Sequence, residues 1–267
     1  MSAYGDGREG RLSRVGAWTV IGFLVLPITI VFPVAFTDKR YLSLPQDHMS
    51  LQHFANLFTS EAWLSSIGQS FVIAVAAAIL SLVAGTLCAI GCWRIDSRLS
   101  EAVRTLMLVP IFVPTIVYAL GLYRFWIDLG LLDTYTGVIL AHGVTGIPYV
   151  VIIVSTSLAG FDPRLEQAAR NLGASLAQTL RRVIVPSILP GIVSGGIFAF
   201  IHSWDELVIV LFIASRKVFT LPRRIWDGIN ENLDPTMAAV AAVLILLTTG
   251  LLVLNTLLGA RREAAGR

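Results

Sequence analysis

The most polar patch within any long apolar stretch of this sequence is His202-Ser203-Trp204-Asp205-Glu206. We expect Asp205 and Glu206 to lie well inside a membrane span. An ionised carboxylate at the centre of a span costs about 2.5–3.5 kcal/mol, so it usually faces a cavity or a partner. The two carboxylates would attract a cation, and the Trp204 indole would add a cation–π contact. The patch therefore predicts the lining of a pathway for a cationic solute; a buried network to a partner subunit, or a salt bridge with an arginine, is the alternative.

A second polar candidate is His142, which lies in another apolar stretch with Thr145 three residues further on. One interpretation places its imidazole on the same pathway as the patch at residues 202–206. The other makes it a packing residue that is held by a hydrogen bond, as buried polar groups usually are.

The sequence lacks the patterns that catalysis and nucleotide binding require. A phosphate-binding loop needs Gly-Lys followed by Ser or Thr, and neither lysine, Lys39 or Lys217, follows a glycine. The motifs HExxH and GxSxG do not occur. Cys88 and Cys92 share one helical face but have none of the further ligands that a metal needs. We therefore expect no catalytic residue, no metal site and no cofactor in this chain.

The elements that must position these residues are membrane-spanning helices. Of the 267 residues, 55% are hydrophobic and 14% are charged, against about 25% charged in soluble domains. Six apolar stretches each approach or exceed the roughly 20 residues that cross a bilayer as a helix. They are Val15–Phe36, Ile67–Cys92, Leu106–Ile127, Gly137–Leu158, Gly191–Ala214 and Met237–Gly259. The pattern predicts an all-α membrane protein with six transmembrane helices, and we expect Pro110 and Pro114 to bend the third.

The distribution of positive charge predicts the orientation of the chain. With the N-terminus in the cytoplasm, 13 Arg and Lys residues fall in cytoplasmic segments and 7 in outer ones, as the positive-inside rule requires. We expect cytoplasmic tails at residues 1–14 and 260–267, flanking a transmembrane domain at 15–259. The first stretch is expected to be a retained helix rather than a signal peptide. Loop arginines account for the net charge of +3, so nucleic-acid binding is not expected.

The cytoplasmic segment Ala159–Pro190 is too patterned for a plain connector. Asp162-Pro163 is a helix-start signal and Gly173 a helix stop. A helix over Pro163–Leu172 would carry Leu165, Ala168, Ala169 and Leu172 on one side. A second helix is predicted from Ser175 to Val185, where Pro186 would end it. Two short helices hinged at a glycine predict either a docking element or an amphipathic pair that lies on lipid head groups.

The segment contains the run Glu166-Gln167-Ala168-Ala169-Arg170-Asn171-Leu172-Gly173, followed after nine residues by Val183-Ile184-Val185-Pro186. These two runs resemble the EAA loop of type I ABC importer permeases. That pattern is Glu-Ala-Ala, three residues, Gly, nine residues, Ile-x-Leu-Pro. Here Gln167 is inserted after the glutamate, while the spacing from glycine to proline is intact. The resemblance implies a MetI-like fold in a multi-pass protein of the bacterial inner membrane. It also implies coupling to an ATPase through Glu166, Ala168, Ala169, Gly173 and Pro186, with Glu166 expected to pair with an ATPase arginine.

Stretches along most of the chain, such as Phe198-Ala199-Phe200 and Thr220-Leu221-Pro222, are similar to the second permease subunit of spermidine/putrescine-type importers. That similarity implies a second permease subunit, two ATP-binding cassette ATPase subunits that bind ATP and Mg, and a periplasmic or extracellular solute-binding protein. It implies a polyamine as the solute. An opine, a phosphonate, thiamine or iron is the alternative within the class, and a secondary transporter is the alternative outside it.

Overall fold

The structure, a computed structural model, describes residues 8–232 and 234–265, and its regular elements there are all helical. In chain order the helices are α1 (Arg8–Ala35), α2 (Gln52–Thr59), α3 (Glu61–Ile95), α4 (Arg98–Leu108), α5 (Thr115–Leu129), α6 (Tyr135–Ala159), α7 (Pro163–Asn171), α8 (Leu176–Thr179), α9 (Val185–Asp205), α10 (Val208–Ile213), α11 (Leu221–Asp227) and α12 (Thr236–Ala265). Residues 1–7 and 266–267 of the two predicted tails lie outside the described residues. The remainder of both tails is helical, since α1 begins at Arg8 and α12 extends to Ala265.

Four helices among the described residues are long and apolar enough to cross a membrane: Ser13–Ala35, Glu61–Ile95, Tyr135–Ala159 and Leu176–Asp205. The pair Arg98–Ile111 and Thr115–Leu129 adds a fifth if it counts as one broken span. The apolar helix Thr236–Gly250, within α12, is shorter than these spans. The prediction of six transmembrane helices is therefore not confirmed by length and composition, although the helical class is.

The third predicted span, Leu106–Ile127, is a sharply bent pair rather than one helix. Its two halves meet at 99°. A short 3₁₀ turn, Val109–Ile111, ends the first half, and Pro114 is the N-cap of α5. Proline has no backbone N–H and disfavours helical geometry in the preceding residue. The two prolines therefore break this helix, which is a stronger effect than the predicted bend.

The fifth predicted span differs from expectation at both ends. Helix α8 continues through a π turn, Leu180–Ile184, into α9, so Pro186 does not end a helix as predicted. The π turn shifts the register of the backbone hydrogen bonds directly before Pro186. Pro186 therefore lies in the first turn of α9, where the absence of a proline N–H is tolerated. At the other end, α9 stops at Asp205, and the extended Glu206 accepts a hydrogen bond from the Ile209 N–H at 3.1 Å. A side-chain acceptor favours such a break, so both carboxylates lie at a helix end and not well inside a span.

The chain divides into two compact units. In the first, which spans residues 8–64 and 225–265 apart from residue 233, α1 and α2 both pack against α12. A small core of Ala35, Ala238, Ala239 and Ala242 joins them. The Asn56 amide donates to the Thr236 hydroxyl at 2.8 Å. No residue in the most apolar window of α1 is buried, so this helix presents its surface to lipid or to a partner.

The second unit, residues 65–224, is built around the contact of α6 with α9. Glycines allow the close approach, as is usual for helices in membranes. A methyl group at Gly195 would touch the Val150 Cα at 3.4 Å. Helix α3 packs on the same centre, where the buried Ser81 hydroxyl donates to the Gly143 carbonyl at 2.7 Å. The centre of the second unit is thus the place where α3, α6 and α9 meet.

Candidate functional site

The segment between α6 and α9 forms the predicted short helix α7 with defined caps at both ends. The Asp162 side chain accepts from the Arg164 N–H at 2.9 Å, and Pro163 occupies the first helical position. At the C-terminal end, the Gly173 N–H donates to the Arg170 carbonyl at 2.9 Å and the Ala174 N–H to the Ala169 carbonyl at 3.1 Å. These two bonds form a Schellman motif. Its central residue, Gly173, has a φ of +84°, a left-handed conformation that favours glycine.

The apolar side of α7 is not packed against its own chain. No residue of α7 is fully buried. The Leu165 side chain is 50% exposed and that of Leu172 is 89% exposed. Ala168 lies between them at helical spacing and is also exposed. This leaves a stripe of one small and two larger apolar residues on the surface.

Glu166 lies on the inner side of α7 and has a partner within the chain. Its carboxylate accepts from the Arg94 guanidinium at 2.9 Å, and both side chains are largely buried. Arg94 is in the last turn of α3. Next to it, the Trp93 ring meets the Phe161 ring edge-on at 5.9 Å. The sequence identified Glu166 but not Arg94, whose only signal was a basic residue at a helix C-terminus.

Three of the predicted pathway residues form a buried polar network between α6 and α9. The His142 Nδ1 lies 2.8 Å from the Ser203 hydroxyl, and the His202 Nε2 lies 3.0 Å from the Thr145 hydroxyl. The Thr145 hydroxyl also donates to the His142 carbonyl at 3.0 Å. The His202 ring lies against Tyr149 with centroids 4.9 Å apart. This geometry supports the interpretation of His142 as a hydrogen-bonded packing residue.

The other three predicted residues have different surroundings. Trp204 stacks on Phe200 at 5.8 Å. Glu206 accepts from the Ile209 N–H in the first turn of α10, so its charge already has a local role. Asp205 is exposed at the end of α9. Of the two carboxylates, Asp205 is therefore the one whose side chain is open to a solute or a partner.

Sequence reasoning missed Asp133, whose carboxylate joins two loops of the second unit through hydrogen bonds. Its carboxylate accepts from four successive backbone N–H groups, those of Ser215, Arg216, Lys217 and Val218, at 2.9–3.2 Å. Asp133 itself has a φ of +54°, which aspartate tolerates better than most residues. Burial opposes ionisation, but the backbone bonds from Ser215, Lys217, Arg216 and Val218 outweigh it and hold the pKa of Asp133 well below its usual value.

We expect Asp133→Asn to destabilise the protein by about 1–2 kcal/mol, since charge-assisted hydrogen bonds are lost at a partly solvated site. Because the folded-state pKa is lowered, the stabilisation is complete above the ordinary value of 3.8 and is lost as pH falls below that value. Thermal unfolding in detergent should show a constant difference from pH 5 upward that shrinks in stronger acid. Asp128→Asn, at an exposed position of α5, is the control. Equal stability of the Asp133 variant and the unmodified protein at neutral pH would contradict the prediction.

Comparison with known proteins agrees with this architecture. Residues 81–264 match the model of the binding-protein-dependent transport system inner membrane component. The spermidine/putrescine transport system permease protein PotC of Haemophilus influenzae is 32% identical over 241 residues, covering 90% of this chain and 93% of that protein. PotC of Escherichia coli K12 is 28% identical over 258 residues, covering 96% and 97%.

The fold is also that of a solved transporter. A bacterial ABC transporter involved in the import of the acidic polysaccharide alginate superimposes with a TM-score of 0.70 at 16% identity, covering 96% of this chain and 98% of that one. The matched family model spans more than half of the sequence. The chain therefore belongs to the family of binding-protein-dependent transport system inner membrane components, as a multi-pass permease of the ABC importer class that transports a solute and is not an enzyme.

Proposed function

We propose that this chain is one of two permease subunits of a polyamine importer, and that α7 couples it to a separate ATPase. The observation that carries the coupling role is the exposed apolar stripe of Leu165, Ala168 and Leu172. An apolar face that its own chain leaves uncovered is typical of a docking element. The small Ala168 allows a partner surface to approach the helix closely.

In this proposal the other residues of the loop set the backbone geometry that connects α7 to α9. Ala169 is half-buried on the inner side of the stripe. Gly173 turns the chain from α7 towards α8 with its left-handed backbone. Pro186 follows the π turn at the start of α9, where irregular helical geometry often marks a functional position. In this proposal the loop transfers ATPase movements to α9 through these three residues.

The two PotC relatives described above support a polyamine. Both PotC proteins are described as permeases for spermidine and putrescine, whereas the solved relative takes part in alginate import. The fold therefore serves solutes of opposite charge, so the solute must be inferred from relatives and from charged groups. The exposed Asp205 carboxylate next to the Trp204 ring offers a cation both an opposite charge and an aromatic face. We assign these two residues to the pathway, and the His142, His202 and Ser203 network to the joining of α6 with α9.

The proposed assembly contains a second permease, two ATPase subunits and an outer solute-binding protein. Both termini of this chain are placed in the cytoplasm because 13 of its Arg and Lys residues then lie on that side. In this orientation α7 faces the ATPases, and the ends of α5 and α9 face the outer side.

The test is purification of the chain from its native membrane, followed by reconstitution of the isolated complex into liposomes. We expect a second permease and an ATPase to accompany the chain, and internal ATP to drive uptake of labelled spermidine delivered by the binding protein. A complete complex that transports another solute would reject the polyamine assignment. Transport by the chain alone, driven by an ion gradient, would reject the importer and favour secondary transport.

We expect Asp205→Asn to reduce spermidine uptake about three- to tenfold at low concentration, since one opposite charge near a cation at partly screened sites contributes about 1 kcal/mol. Initial rates across a range of binding-protein concentrations measure the effect. Asp128→Asn, which neutralises another exposed carboxylate, is the matched control and should transport normally. Unchanged uptake by the Asp205 variant would exclude this carboxylate from the pathway.

A further inference from the structure

The coupling helix α7 is attached to the rest of the second unit at the end of α3. Arg94 and Glu166 form an ion pair at 2.9 Å, with 25% and 16% of their side chains exposed. The preceding residue, Trp93, contacts Phe161, which lies just before the N-cap of α7. Two adjacent residues of α3 therefore hold both the first turn of α7 and the segment that leads into it.

The ion pair is placed where both charges are favoured by their own helices. Glu166 is in the first turn of α7 and Arg94 in the last turn of α3, so each charge opposes the partial charge of its helix end. Its limited exposure makes the pair less screened than an ordinary surface pair. Loss of either partner would leave the other charge largely buried and unpaired, which is more costly than loss of both.

The opposite end of α3 is bonded to a different segment of the same unit. The Gln69 side-chain amide oxygen accepts from the Phe219 N–H at 2.8 Å, and the buried Ser70 hydroxyl accepts from the Leu221 N–H at 2.7 Å. The Arg224 guanidinium donates to the buried Ser66 hydroxyl at 2.6 Å. From Ser66 to Arg94, α3 extends about 42 Å, more than the roughly 30 Å hydrocarbon core of a bilayer.

We propose that Arg94 is a positioning residue for coupling, and that its pair with Glu166 makes α3 the lever that connects α7 to the segment Phe219–Arg224 on the other side of the membrane. The inference rests on the proposed function, because it takes α7 as the element that the ATPase moves. It assigns Glu166 to a bond within the chain rather than to an ATPase arginine. The uninterrupted helix α3 carries the movement, and the hydrogen bonds of Ser66, Gln69 and Ser70 transmit it to the segment Phe219–Arg224.

The test is charge exchange in the complete reconstituted importer. Arg94→Glu and Glu166→Arg each place like charges together, so we expect each to lower the number of solute molecules taken up per ATP hydrolysed by about fivefold or more. The double variant restores an ion pair in the reverse sense and should recover at least half of the coupling ratio. Arg94→Lys, which keeps the charge, should retain most of it.

A matched control is the exposed pair of Arg104 and Glu101 on α4, at 2.8 Å. Reversing either charge there should leave the coupling ratio unchanged. If Glu166 instead pairs with an ATPase arginine, the double variant stays as defective as Glu166→Arg alone and the proposal is overturned. A normal coupling ratio in both Arg94→Glu and Arg94→Ala overturns it as well. Absence of ATP-driven uptake in the unmodified complex is a separate outcome, which rejects the proposed function itself.

Discussion

Replacing Gly173 with valine is expected to lower ATP-driven uptake about tenfold while the protein remains in the membrane. The left-handed backbone at this position, with a φ of +84°, costs a residue other than glycine about 1–2 kcal/mol, and a β-branched residue more. A free-energy cost of this size changes the equilibrium ratio of the native turn to a displaced turn by a factor of about 5–30. Because no residue of α7 is fully buried, the strain is relieved most easily by displacement of α7 against its Glu166–Arg94 ion pair. Uptake by the reconstituted complex, scaled to the amount of chain in the membrane, measures the loss.

A comparison with Gly173→Asn separates backbone conformation from contact with the ATPase. Asparagine tolerates the left-handed region, and a Cβ added at this position meets no atom within 4 Å in the free chain. We therefore expect the asparagine variant to transport nearly as well as the unmodified protein. Equal loss in both variants would mean that the ATPase surface excludes any side chain here. Normal transport by Gly173→Val would show that the turn is not needed for coupling.

The short helix α7 was predictable because its signals are local. Asp162-Pro163 and Gly173 act through backbone atoms a few residues away, and the helix has the caps that these residues predict. The motif was harder to align. In the family pattern, the glutamate lies six residues before the glycine. If that glycine is Gly173, the glutamate position is occupied by Gln167. Gln167 is exposed, whereas Glu166 is turned towards Arg94.

The features that could not be predicted depend on residues distant in the sequence. Glu166 and Arg94 are 72 positions apart, and Asp133 bonds to backbone groups more than 80 positions away. Only the folded chain brings these groups together. The break after α9 was missed for another reason. The apolar run continues on both sides of Glu206, so hydropathy alone reads one span where a side-chain acceptor starts a new helix.

The contact of α3, α6 and α9 should be the least tolerant of added volume, and we expect Gly146→Val to destabilise the second unit by about 3 kcal/mol. A methyl group at Gly146 would collide with the Ser81 hydroxyl, lie 3.2 Å from the Ser81 Cβ and lie 3.6 Å from the Ala199 Cβ. Overpacking of this kind costs about 1–3 kcal/mol. Displacing Ser81 also removes its hydrogen bond to the Gly143 carbonyl, a further loss of about 1 kcal/mol. Thermal unfolding of the purified chain in mild detergent measures the change.

Two further variants test whether the collision itself is the cause. Gly91→Val adds the same volume to α3, where an added Cβ meets no atom within 4 Å outside its own helix turn, and should have little effect. Combining the smaller change Gly146→Ala with Ser81→Gly removes the colliding side chain and should recover part of the stability that Gly146→Ala loses alone. Helices that slide or tilt to accept the new volume would leave Gly146→Val as stable as Gly91→Val. That result would mean that α3 is not held rigidly against α6, and α3 would then be a poor lever between α7 and the segment Phe219–Arg224.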